Sequence, residues 1–192
     1  PAKGGEMLLD DVSMEALAVE ADPVLLDFET PVRKAGGIGP HFVNPTGTFR
    51  YDDSGEQARN GIGAMQLTGD GRITIDFKEP ATESRYRLSA FVKGSGTAAA
   101  KVEWRDGNRI IGSETRSVKL GEAYRRLSLS STAPAGANHA YLFFFPEKGG
   151  SMYIDNIDMK PVAAEKDPAL LDFEEPLTGA GNVGGCYVNP TG

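Results

Sequence analysis

The sequence predicts an all-β protein, an antiparallel β-sandwich, and three observations carry that expectation. Apolar and polar residues alternate with a period of two through most of positions 24–160, the signature of strands with one buried face. The breaks between these runs hold Gly, Asn and Asp and recur roughly every 8–12 residues, as in a sandwich. With 24 Gly and 12 Pro in 192 residues, turns are plentiful and long helices have little room.

The elements follow in order. Leu26 and Phe28 share one face of an opening strand. GAMQL (63–67) and RITIDF (72–77) flank Thr68-Gly69-Asp70-Gly71, a short turn that predicts a hairpin. YRLSAFV (86–92) puts Tyr86, Leu88, Ala90 and Val92 on one side. AKVEW (100–104) runs through Asp106-Gly107 into NRIIG, a second hairpin. RRLSLS (125–130) alternates with Leu127 and Leu129 inward. AYLFFF (140–145) is apolar enough for the middle of a sheet, which reads Phe143, Phe144 and Phe145 as core with room for one ring turned outward to meet a neighbour, and SMYIDNIDM (151–159) closes the unit. One helix is conceivable around Ser13–Ala21; its counterpart Asp158–Lys166 contains Pro161 and reads as linker.

The chain also repeats itself. Pro1–Gly47 matches Pro146–Gly192 without a gap at a spacing of 145, with 25 of the 47 positions identical. That period exceeds the 20–50 residues of solenoid repeats and suits a domain with its own core. The expected organisation is one complete domain flanked by partial copies of neighbouring repeats. Residues 1–17 are the closing strand of a preceding unit and 18–23 a linker. Residues 24–160 form the complete sandwich, 161–167 a second linker and 168–192 the opening of a following unit. Linkers this short imply a stiff or regularly bent array. The uncovered edges of the two partial units predict head-to-tail association between copies.

Composition excludes several functions. A net charge of −7 offers no basic face for nucleic acid. No apolar run approaches the roughly 18 residues of a membrane span. The single Cys186 stands where the first copy has His41, so neither is expected to be a ligand or disulfide partner. No nucleophile motif or Gly-rich phosphate loop is present, and the acidic residues cluster in loops and strand ends rather than across a cleft. The expectation is a non-enzyme.

LLDFE near the start, YRLSAFVKGSG, LGEAYRRLSLSSTAPAGANHAYLFF and the closing MYIDNIDM occur in that order. Together they resemble the β-sandwich carbohydrate-binding modules that accompany xylanases and other polysaccharide-degrading enzymes. The resemblance covers most of 24–160 and implies a jelly roll of two antiparallel sheets. It also implies a structural calcium held by the glutamate of the opening "FE" and the aspartate of the closing strand, here Glu29 and Asp155, with Glu174 and Asp10 at the same positions in the neighbouring copies. The residues themselves agree. Asp155 shares strand parity with Tyr153, Ile157 and Met159, and a carboxylate on a buried face needs a metal or a partner. A solvated carboxylate, or one paired to Arg or Lys, is the alternative. The acidic loop YDDSGEQ (51–57) lacks calcium-loop spacing and reads as solvated.

Sugar recognition in such modules uses exposed rings. Tyr51 and Phe49, on or beside a loop, are the candidates for a binding edge; Trp104 shares parity with Val102 and is expected in the core, with a ligand-binding role as its alternative. Two functions follow. One is a calcium-stabilised building block of an extracellular surface fibre, filament or adhesin shaft, partnered by its own neighbouring repeats. The alternative is a carbohydrate-binding module that targets an enzyme or cell-surface protein to a polysaccharide. The sequence places the structural reading first, because stacking aromatics are few.

Overall fold

The computed structural model describes residues 25–162 and, beyond them, the strands at 181–183 and 186–188. The expected closing strand at 1–17, the linker at 18–23, the possible helix at Ser13–Ala21 and most of 163–192 lie outside the described residues, and with them Asp10 and Glu174. What is described is entirely β. In chain order the strands are β1 (Gly36–Ile38), β2 (His41–Asp52), β3 (Ala64–Lys78), β4 (Arg85–Asp106), β5 (Arg109–Lys119), β6 (Arg125–Thr132) and β7 (His139–Pro161). Two short strands follow, β8 (Gly181–Val183) and β9 (Cys186–Val188). No helix among the described residues is long and apolar enough to cross a membrane.

All pairings are antiparallel, in the order β1-β2-β3-β7-β4-β5 with β6 also on β4. Connectivity is continuous, yet there are two layers, because the long strands fold over. Tyr86 and Trp104 stand near opposite ends of β4, where a straight strand would hold them on the order of 60 Å apart. Their ring centroids are 5.6 Å apart. The indole Nε1 of Trp104 donates to Ser131 Oγ of β6 at 2.7 Å, although β6 pairs only with the first half of β4. One layer holds β1 and the parts of β2, β3, β4 and β7 near residues 41–46, 72–78, 97–106 and 139–147, with β5 at its edge. The second holds the other halves of β2, β3, β4 and β7, with β6 at its edge.

The folds fall where the pairing register slips: at Thr46/Thr48, Thr68/Ile73 and Ser95/Thr97. Glycine occupies each of these places, and Gly47, Gly69, Gly94, Gly96 and Gly149 have positive φ. Gly94 is the clearest requirement: φ is 138°, and a Cβ there would run into the Ser151 carbonyl. Asp70 Oδ1 takes the Thr48 amide (3.0 Å) and hydroxyl (2.9 Å) beside one slip, satisfying a donor there.

The core lies between the layers. Phe28, Met65, Leu67, Ile73, Ile75, Leu88, Val92, Val102, Trp104, Leu142, Phe144 and Ile154 are all buried in one cluster. The inward faces expected for Tyr86–Val92 and for Leu127 and Leu129 are as read from the sequence, and the hairpin through Gly107 is present, with Asp106 opposite Arg109.

Four expectations are corrected. Residues 63–77 do not form a hairpin: both halves belong to β3, which bends at Thr68–Arg72 because β2 and β7 pair with it on either side. The opening segment is not a strand; Leu26 makes one isolated bridge to Ile157, and Phe28 turns to φ 61° while staying buried. Of the three phenylalanines only Phe144 is core; Phe143 and Phe145 are half-buried on the opposite face. Tyr153 does not share a face with Ile157, because an irregularity at Asp155–Asn156, where Asn156 has φ 50°, reverses the alternation.

β8 and β9 pair with Gly181 opposite Val188 and Val183 opposite Cys186. β1 and β2 pair with Gly36 opposite Val43 and Ile38 opposite His41. The two hairpins have the same register at the spacing of the sequence repeat.

Candidate binding face

The outer face of the first layer is built by alternation in three adjacent strands. In β7, Ala140, Leu142, Phe144 and Pro146 point into the core, which turns His139, Tyr141, Phe143 and Phe145 outward. In β4, burial of Val102 and Trp104 turns out Lys101, Glu103 and Arg105. In β3, burial of Ile73 and Ile75 turns out Arg72, Thr74 and Asp76. Register then sets them side by side. Tyr141 stands between Asp76 and Glu103, and Phe143 between Thr74 and Lys101. The result is a row of rings down the middle strand with polar groups on both flanks.

The rings contact edge to face, with centroids 5.3 Å apart for His139–Tyr141 and 6.3 Å for Tyr141–Phe143. The Arg105 guanidinium lies 4.6 Å from the Tyr141 ring centre, and Lys101 and Arg72 lie 5.8 and 5.9 Å from that of Phe143. Glu103 is 7% exposed and accepts from Lys101 at 2.5 Å and Arg105 at 2.8 Å. Burial pushes its carboxyl up, but these two bonds outweigh burial and hold it below the ordinary carboxylate value. Lys78 pairs with Asp76. Beside Tyr141, Asp76 Oδ1 and Arg105 Nε are buried without a hydrogen-bond partner. A depression of about 330 Å³ opens next to Phe143 and Phe145, bordered by Arg72 and Lys101. Exposed aromatic surface with fixed polar neighbours is what binds a flat-faced, hydroxyl-rich ligand.

The residues singled out in the sequence lie elsewhere. Trp104 is 1% exposed, with its indole nitrogen satisfied inside the sandwich. Tyr51 is buried and its hydroxyl donates to the Phe28 carbonyl at 2.7 Å. Phe49 packs partly buried against the core. Trp104 and Tyr51 offer no free ring; Phe49 keeps part of its ring at the surface, away from the outer face of the first layer.

Glu29 and Asp155 do converge, on the loop at 59–63. Asp155 has no exposed surface and accepts backbone amides from Arg59 (2.8 Å), Asn60 (3.3 Å) and Asn156 (2.7 Å). Glu29 accepts from the Ile62 amide at 3.1 Å and the Gly63 amide at 3.3 Å. Burial raises the Asp155 pKa; its amide bonds oppose this and the charge on Glu29 adds to it. Two convergent carboxylates with hard oxygen donors suit the acidic part of a calcium site. Among the described residues no third His, Cys, Asp or Glu joins them, so the remaining ligands would have to be neutral oxygens, from backbone or side-chain carbonyls or water. As they stand, the two side chains clamp the loop.

Sequence reasoning missed Tyr141, Phe143, Phe145, Arg72, Lys101 and Arg105. Each strand's alternation was readable; that three polar faces meet in one layer follows only from the strand order β3-β7-β4.

No protein-family model matches the chain, and no curated protein does. Solved structures do. The CBM22-1 xylan-binding domain of Paenibacillus barcinonensis Xyn10C superposes with a TM-score of 0.51 and 17% identity, covering 77% of this chain and 99% of that one. The fold is the β-sandwich of carbohydrate-binding modules. The tandem CBM22-1–CBM22-2 domain of the same protein matches at a TM-score of 0.50 and 18% identity over 80% of this chain and 49% of that one. The enzymatically active domain of tailspike protein 4 of bacteriophage CBA120 matches at 0.53 and 16% identity over 66% of this chain. The match spans only 20% of that chain. At such identities the likeness is one of fold.

Proposed function

We propose that residues 24–160 are a non-catalytic module that binds a polysaccharide along the outer face of the first layer. The observation that carries this is the ring row Tyr141–Phe143–Phe145 with hydrogen-bonding groups fixed on both sides of it. The row spans about 20 Å from His139 to Phe145, room for a short oligosaccharide lying along β7. Its rings offer apolar surface to sugar faces, and Arg72, Lys101 and Thr74 beside them offer donors and a hydroxyl to sugar hydroxyls. The fold shared with carbohydrate-binding modules supports the reading. It reverses the order taken from sequence, where a structural role stood first for want of exposed aromatics.

Affinity electrophoresis and calorimetry of the chain against a panel of soluble polysaccharides test it. At least one glycan should bind, and Tyr141→Ala with Phe143→Ala should weaken that binding by tenfold or more while the melting transition persists. Unchanged affinity in the double variant would move the site off this face.

The repeat gives the module a setting. An extracellular or cell-surface array of such units, associating head-to-tail, is supported by the sequence period and by the matching register of the β1–β2 and β8–β9 hairpins. Calcium held by Glu29 and Asp155 belongs to the same proposal: it would neutralise a carboxylate that burial disfavours and tie down the loop at 59–63.

A further inference from the structure

Resting on that reading of the face, we propose that the glycan it takes is acidic, a polymer bearing uronate carboxylates, and that Arg72 is the carboxylate's partner. The chain as a whole carries a net charge of −7. This face leans the other way: Arg72, Lys78, Lys101 and Arg105 stand on it against Asp76, Glu103 and, at the edge of the depression, Asp70. Two of these carboxylates are already engaged by cations, Glu103 by Lys101 and Arg105, and Asp76 by Lys78.

Arg72 is different. Among the described residues it has no carboxylate within ion-pair distance, and its one hydrogen bond is a long contact of 3.4 Å from Nε to Thr46 Oγ1. The terminal nitrogens of the guanidinium are therefore open, in the planar fork that matches a carboxylate edge. Its place gives that fork a use. Arg72 and Lys101 approach the Phe143 ring to nearly equal distances, 5.9 and 5.8 Å, and both border the depression beside Phe145. A pyranose stacked on Phe143 would carry its ring carboxylate between the two cations. Asp70 borders the same depression and keeps its charge, which the bonds from the Thr48 amide and hydroxyl stabilise; those bonds turn Oδ1 toward β2, while Arg72 and Lys101 are the charged groups that approach Phe143. A neutral glycan would leave the fork of the exposed Arg72 guanidinium to water.

The test uses the whole chain and three polyuronates (polygalacturonate, polymannuronate and polyglucuronate), each beside its carboxyl-reduced neutral form, with dextran sulfate as a second anion. One polyuronate should bind at least tenfold more tightly than its reduced form at low salt, and the gap should shrink as salt rises. Arg72→Gln should lower affinity for that polyuronate by about ten- to a hundredfold, the range for losing a charge-assisted pair, with the melting transition unchanged. Arg72→Lys should recover only part of the loss, since it restores charge without the fork. Reduced polymers binding as tightly as their acids would overturn the acidic assignment and leave glycan binding standing. So would an acid preference untouched by Arg72→Gln, or binding of dextran sulfate alone. Failure of every polymer, acidic and neutral, would sink both.

Discussion

Asp155 is a carboxylate with no surface, held by three amides, and it makes stability depend on pH in a definite direction. Burial raises its pKa in the folded protein, so the folded state holds this proton more tightly than the unfolded chain does. Its contribution is fully present below the unfolded value of about 3.9 and is lost as pH rises through the raised folded value. Glu103, whose pKa is lowered, works the other way: its contribution is present above the ordinary carboxylate range and fades as pH falls through its folded value. Melting temperatures of the parent and Asp155→Asn, compared between about pH 4 and 7, isolate the first effect. The parent should lose ground to the variant as pH rises, and a flat or opposite difference would show that the amides from Arg59, Asn60 and Asn156 outweigh burial. At this scale the sequence was partly legible. The parity of Trp104 with Val102 allowed a core role, and Asp155 was readable as a carboxylate on a buried face. The exposure of Phe143 and Phe145 was hidden, because a run of three phenylalanines shows no polar partner to mark which rings face out.

At the level of elements, glycine turns look alike in sequence and behave differently in the fold. Asp106-Gly107-Asn108-Arg109 closes β4 onto β5, since β5 has no other partner there. Thr68–Gly71 merely bends β3, because β2 on one side and β7 on the other pair with both halves. Which outcome wins is decided by neighbours far away in sequence, so alternation and turn residues revealed the strands but not their continuity through the bends. The bends also separate two kinds of glycine. Gly94→Ala puts a methyl group against the Ser151 carbonyl at φ 138° and should cost about 2 kcal/mol or more, the range of a strained backbone with an added clash. Gly107→Ala has open space around its Cβ and only its positive φ of 57° to oppose it, so about 1 kcal/mol is expected. Urea unfolding of both variants checks the contrast, and equal losses would mean that the bend at Gly94 can relax.

For the molecule as a whole, the loop clamp links the opening segment to the closing strand, because Glu29 comes from one and Asp155 from the other. If calcium sits between them, EDTA should lower the melting temperature of the chain, and Asp155→Ala should remove that sensitivity. Indifference to EDTA would leave the amides as the carboxylates' working partners.

The position of β7 in the sheet has a consequence for how the chain is made. It is the last long strand of the unit to be synthesised, and it lies between β3 and β4 in both layers. Until it leaves the ribosome, β1-β2-β3 and β4-β5-β6 are two separate sheets, each with an open edge that wants the same missing strand. Closure must wait for residues near Pro161, and nearly all of the pairing that completes the sandwich is distant in sequence, which makes folding slow. In an array of like units, the awaited strand of one repeat can meet the open edges of another, the usual route to swapped domains. Were the units so arrayed, sequence drift of the kind that leaves 25 of 47 aligned positions identical would make a neighbour's closing strand a poorer fit to these edges than β7 itself.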